Sequence, residues 1–260
     1  MAASSIAQLS SQMAQPAAAL KWLAIAAEEY AQFGAFEQDR QLEWLRGANL
    51  AALGELDAAR DVFQALTEGR EMTEDGLEAA SIGWYGLAEI DRASGAGADA
   101  GAAFERALSM FRSGDQRGSP WYLMLMAGTL SAATFDDLFT EPARSRWARR
   151  LRGRMLAVAR MRSEFLDAPV VGTVLMGWSA WAMDHPERRD RALAALALGE
   201  RLGARQDLLS LHWTEHFAHA ERVAGAERVA AARDAIAGLP REDAVLRGLA
   251  VLREPSAPGR

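Results

Sequence analysis

The chain contains no cysteine. That excludes disulfides, thiolate catalysis and zinc sites built on cysteine, and it fits a reducing compartment. Lysine is nearly absent too. Lys21 is the only one, and with Leu20 before it, it cannot form the Gly-Lys-Ser or Gly-Lys-Thr end of a phosphate-binding loop. Positive charge is therefore almost all arginine, and acids outnumber it, leaving a net charge of -6 and a pI near 5.4. General attraction to nucleic acid needs surplus base to displace phosphate counterions, so no direct nucleic-acid binding is expected and any basic surface must be local. Isoleucine, threonine and tyrosine are scarce beside alanine and leucine, which favours helix over strand. The start, MAASSIAQLSSQMAQ, has neither a basic head nor an apolar run, so no secretory signal is read there and a cytoplasmic location is expected.

Two uncharged stretches, Gly118 to Phe135 and Ala168 to Met183, raise the question of a membrane. The first is borderline in length and the second is shorter, and both are interrupted by Gly, Ser and Thr. A helix enclosed by other helices reads the same way, so burial is expected and no membrane contact.

Half of the residues are apolar and a quarter charged, enough for a packed core. The organising stretch is GANLAALGELDAARDVFQAL, from Gly47 to Leu66. Moved forward by 41 residues, Gly47, Ala59, Phe63 and Leu66 fall on Ala88, Ala100, Phe104 and Ala107, the same small and large residues in the same order. A fixed period of this length indicates stacked helix pairs, each packing on its neighbours. An Ala followed four residues later by a large residue recurs as Ala18 and Trp22, Ala143 and Trp147, and Ala192 and Leu196. Twelve residues before Ala59, Ala100, Ala143, Ala192 and Ala230 stands a small one: Gly47, Ala88, Ser131, Ala180 and Ala218. Small residues let the helices of a pair approach, while the large residue fills the gap to the next pair.

Trp84-x-x-Leu87-Ala88 followed by Ala100-x-x-x-Phe104-x-x-Ala107 resembles the tetratricopeptide repeat, with Asp91 where that family prefers Tyr. The resemblance implies an all-α fold, a right-handed tetratricopeptide-like α-solenoid of antiparallel helix hairpins. The expected organisation is a partly flexible lead-in over 1–16, a single solenoid over 17–253 and a disordered tail over 254–260. Residues 151 to 183 and 192 to 213 are also similar to the C-terminal helical region of actinobacterial regulators of the antibiotic-regulatory-protein and bacterial-transcriptional-activation-domain class. That implies the sensory or scaffolding helical-repeat part of a transcription-regulation system. Its partner would be a protein or another domain of a regulator, with homo-oligomers an option. The winged helix that would bind DNA in that class is absent from the sequence.

Three groups carry candidate chemistry. Eight arginines lie between Arg144 and Arg162 with no acid among them, and Arg146, Arg149, Arg150 and Arg154 are taken as a site for an anionic partner. The bland alternative is a solvated helix whose arginines pair with neighbouring acids. Trp178, Trp181 and Trp121 are taken as a possible pocket, which would suit a second reading, a small-molecule sensor with an apolar site between the uncharged helices. His212, His216 and His219 line one helical face, and HWTEH spells the H-x-x-E-H of inverted zinc peptidases. Half-buried polar packing is the favoured reading of those histidines. No catalytic residue, metal or cofactor is assigned, and a non-enzymatic module is expected.

Overall fold

The computed structural model describes residues 2–33, 39–68, 74–111, 116–161 and 167–253. Among these residues every regular element is helical, which makes the protein all-α. The α-helices are α1 (Ala2–Gln12), α2 (Pro16–Phe33), α3 (Asp39–Ala52), α4 (Leu56–Thr67), α5 (Glu74–Ala93), α6 (Gly97–Ser109), α7 (Pro120–Phe135), α8 (Glu141–Met161), α9 (Ala168–Met183), α10 (Arg189–Arg201), α11 (Trp213–Ala224), α12 (Ala226–Ala237) and α13 (Arg241–Arg253). They fall into two compact units, one of residues 1–112 and 206–209, the other of 113–205 and 210–260. The expected tail at 254–260 lies outside the described residues, as does Arg162.

In the first unit each helix packs chiefly on its neighbours in the chain. The 41-residue period is visible as backbone geometry at the turns. Gly54 closes α3 with φ +82°, its amide donating to the Ala51 carbonyl and the Glu55 amide to the Leu50 carbonyl. Gly95 closes α5 in the same way, with φ +79° and bonds to Arg92 and Asp91. Glycine suits this left-handed helix end because it has no Cβ to clash. The same turn closes α1 at Ala14, φ 55°, with the amides of Ala14 and Gln15 donating to Ser11 and Ser10. The period therefore reaches back into the stretch read as a lead-in, where α1 packs on α2. It also corrects the register of the first pair. Ala19 and Leu23 are buried in the positions of Ala59 and Phe63, whereas Ala18 and Trp22 are only half-buried.

Phe63 explains why small residues recur around it. A Cβ built on Gly47 would lie 2.8 Å from the Phe63 ring, and one on Gly86 would lie 2.3 Å from it. The ring thus fills the space between α3 of its own pair and α5 of the next. Phe104 is fully buried and meets Tyr85 edge-on at 5.1 Å, while Ser81 Oγ donates to the Ala107 carbonyl at 2.9 Å.

In the second unit α9 is the central element, packed on α7, α8, α10, α11 and α13. Pro120 opens α7 behind Ser119, whose Oγ accepts from the Tyr122 amide at 3.2 Å. Both α7 and α9 are buried around their whole circumference, which is why they need no charge. No helix among the described residues is long and apolar enough to cross a membrane. At Gly177 of α9, an added Cβ would lie 2.5 Å from the Ala127 carbonyl oxygen of α7. Gly172 and Gly199 face each other across α9 and α10, where a Cβ added to either would lie 3.0 Å from the other's carbonyl oxygen. Beyond α10 the next α-helix begins only at Trp213. The Ser210 carbonyl meets the His216 ring nitrogen at 3.1 Å, and 209–211 form a single tight turn.

Candidate functional site

The arginine helix α8 buries Ala148, Leu151, Met155 and Ala159. At 100° per residue these occupy one side, and Arg146, Arg149, Arg150, Arg154 and Arg160 occupy the other. The eight arginines as a whole cannot share a face, but the four singled out from the sequence do. Arg146, Arg149, Arg150 and Arg160 are exposed and Arg154 is half-buried. Gly153 lies among them and has nothing within 4 Å of its Cβ position, so the face is open. Among the described residues, none of these five arginines forms an ion pair. Arg144 is different: its Nη1 donates to Asp137 at 2.7 Å and its Nε to Glu141 at 3.2 Å. The pairing alternative holds for Arg144 and not for the outward face.

What fixes that face is Glu141, the first residue of α8. Its Oε1 accepts from Ser145 Oγ at 2.7 Å and from Trp181 Nε1 at 3.1 Å, and His185 Nε2 lies 3.3 Å away without hydrogen-bond alignment. With Arg144 on Oε2, the carboxylate is surrounded by donors. It is a pin holding the head of α8 against the end of α9, not a free base. Burial pushes the Glu141 carboxyl up, but the hydrogen bonds from Ser145 and Trp181 and the charges of His185 and Arg144 outweigh it. The net result is a pKa below the ordinary 4.5.

A depressed carboxylate stabilises the fold above its unfolded pKa, and that contribution is lost as pH falls through the folded value. The melting-temperature gap between wild type and Glu141→Gln should therefore stay level near neutrality and close in acid, below about 4.5. A gap unchanged down to about pH 3 would show that the carboxylate charge is not what pins the helix.

Trp178 and Trp181, expected to line a pocket, are buried at 3% and 5% exposure, with ring centroids 6.3 Å apart. Arg188 covers Trp181 at 4.6 Å and Arg191 covers Trp178 at 5.4 Å, while His185 packs on Trp181 at 4.5 Å. Trp121 does not join them. It sits half-buried under Arg205, at the end of α9 where the Arg205 amide donates to Thr173 Oγ1. The three tryptophans thus divide between the two ends of α9.

His212 precedes α11 as its N-cap residue, so it is not on the helical face with the other two. His216 and His219 flank Phe135, with ring centroids 4.9 and 5.4 Å away. His219 Nε2 also stands 3.1 Å from Asp184 Oδ1, an ion-pair distance without hydrogen-bond alignment. Among the described residues, no three His, Asp or Glu side chains converge as metal ligands would. Glu141 is the residue that sequence reasoning missed. An acid beside Pro142 at a helix head was a signal of a capped terminus, but its bond to Trp181 spans 40 residues.

No family model, no curated protein and no solved structure matches the chain.

Proposed function

We propose that the chain is a non-enzymatic, tetratricopeptide-like regulatory module that binds an acidic segment of a protein partner through α8. In this reading residues 17–253 form a right-handed α-solenoid of antiparallel hairpins, and the Ala14 turn supports extending it into α1. The hairpin reading is supported by the contacts Ser81 to Ala107 and Tyr85 to Phe104, where one partner's number falls as the other rises. The repeated turns at Ala14, Gly54 and Gly95 support a repeating array. A place in transcription regulation rests on the similarity of residues 151 to 183 and 192 to 213 to the actinobacterial regulators, and a cytoplasmic setting suits a chain without cysteine.

The observation that carries the binding role is the open, unpaired row of Arg146, Arg149, Arg150, Arg154 and Arg160 on an otherwise acidic protein. A packed helix gains nothing from five unpaired like charges on one side, whereas a carboxylate-rich segment meets them as guanidinium partners. The test uses labelled poly-glutamate as the probe, with binding followed by fluorescence anisotropy. Binding should weaken steeply from low to physiological salt, because exposed charges are screened over about 8 to 10 Å there. Arg149→Gln/Arg150→Gln/Arg154→Gln should lose most of the binding and keep the helical spectrum and melting temperature, since such surface changes cost within about 0.5 kcal/mol. Unaltered binding by the folded triple variant would refute the role of α8.

A further inference from the structure

The charge of the chain is divided between its two units. The first holds eight Lys and Arg against 18 Asp and Glu, a net of -10; the second holds 21 against 17, a net of +4, and together they make the chain's -6. Part of the acidic excess is arranged as the arginines are. On α4, Asp57 and Asp61 are exposed opposite the buried Ala59, Val62, Phe63 and Leu66, and exposed Glu68 follows on the same line just past the helix end. Angular positions on the helix put Asp57 and Asp61 where Arg146 and Arg150 stand on α8, each on the side facing away from the buried residues. The one base within α4, Arg60, is drawn to Asp91 at 2.7 Å. Among the described residues, Asp57, Asp61 and Glu68 form no ion pair.

We propose that the arginine face of α8 docks on the acidic face of α4 in a second copy of this chain. The inference rests on reading α8 as a contact face and names what it meets. Charge complementarity selects the occupant. The acidic row runs about 16 Å and the basic row about 21 Å, at 1.5 Å per residue, so rows of comparable length and opposite charge can lie side by side although α4 is the shorter helix. Approach of two first units, each at -10, is repelled, while first unit to second unit is attracted, so the contact is head to tail. If each copy supplies both faces at once, a closed dimer forms; otherwise the contact repeats along an open chain.

The experiment is sedimentation of the full chain over a range of concentrations, in about 0.05 M and about 0.5 M salt. A mass above the monomer in low salt that falls to the monomer in high salt is the expected result. Arg149→Glu/Arg150→Glu/Arg154→Glu and Asp57→Arg/Asp61→Arg/Glu68→Arg should each weaken self-association by about tenfold or more. Mixed in equal amounts the two variants should associate again, because each then offers the other an opposite charge on both faces. If a reversal variant loses its helical spectrum, the Gln versions replace it and must still weaken association. A wild type that is monomeric in low salt at every concentration, or folded reversal variants that stay apart when mixed, overturns the proposal. Poly-glutamate binding by α8 in a chain that does not self-associate would overturn this inference and leave the acidic-partner reading standing.

Discussion

Phe63→Ala should lower the stability of the first unit by about 3 to 5 kcal/mol, the range for removing a buried aromatic whose space cannot close. The space cannot close because both walls are glycine: Gly47 on α3 and Gly86 on α5 have no side chain to move inward. Phe104→Ala, at a fully buried ring beside Tyr85, should cost a similar amount. The geometry predicts a coupling as well as a loss. Gly86→Ala alone puts a methyl 2.3 Å from the Phe63 ring and should cost about 2 kcal/mol or more, whereas in the Phe63→Ala background it should cost under about 1 kcal/mol, since the obstacle is gone. Urea unfolding of the four proteins measures both numbers. Additive losses would mean that the ring and Gly86 do not share the space.

Gly177→Ala is the second large effect. Here the added methyl meets backbone, with the Ala127 carbonyl oxygen at 2.5 Å and Cα at 2.7 Å, so no side chain can swing aside and α7 must part from α9. Overpacking of this kind costs about 1 to 3 kcal/mol and more where backbone must move, so a loss of at least about 3 kcal/mol is expected. Gly153→Ala is the matched control. On the open face of α8 nothing lies within 4 Å, and the same substitution should stabilise by about 0.5 to 1 kcal/mol through helix propensity. Melting curves of the two variants should move in opposite directions. A Gly177→Ala protein that melts with the wild type would refute the close approach of the two helices.

The period was legible wherever the chain used a residue with only one reason to be there. Gly54 and Gly95 mark their turns because glycine is the natural occupant of the left-handed conformation, and Phe63 and Phe104 mark the gaps because few other residues fill them. Ala14 adopts the same conformation but is an ordinary helix former, so nothing in its identity announces a turn. That silence also put the first pair one residue out of register, on Trp22 instead of Leu23. The buried helices α7 and α9 were legible from their lack of charge, because an enclosed helix has no solvent side to mark. The arginine cluster was legible as composition, but its open face depends on how α8 is rotated. That rotation is set by Glu141 and Trp181, whose meeting depends on the packing of α8 against α9. The H-x-x-E-H spelling misled in one particular: helical spacing placed His212 with its neighbours, and the helix starts one residue too late to include it.

The enclosure of α7 has a consequence for how the protein is made. During synthesis α7 leaves the ribosome before the partners that cover it, α8 and α9, and its largest contact, α9, is complete only at Met183. At roughly 5 to 20 residues per second, an uncharged helix is left without its main neighbour for several seconds. The helices of the first unit, by contrast, meet their chief partners as soon as the next helix emerges. The interval between α7 and α9 is thus the stage of biogenesis at which a nascent chain offers most to a chaperone, and most to another nascent chain.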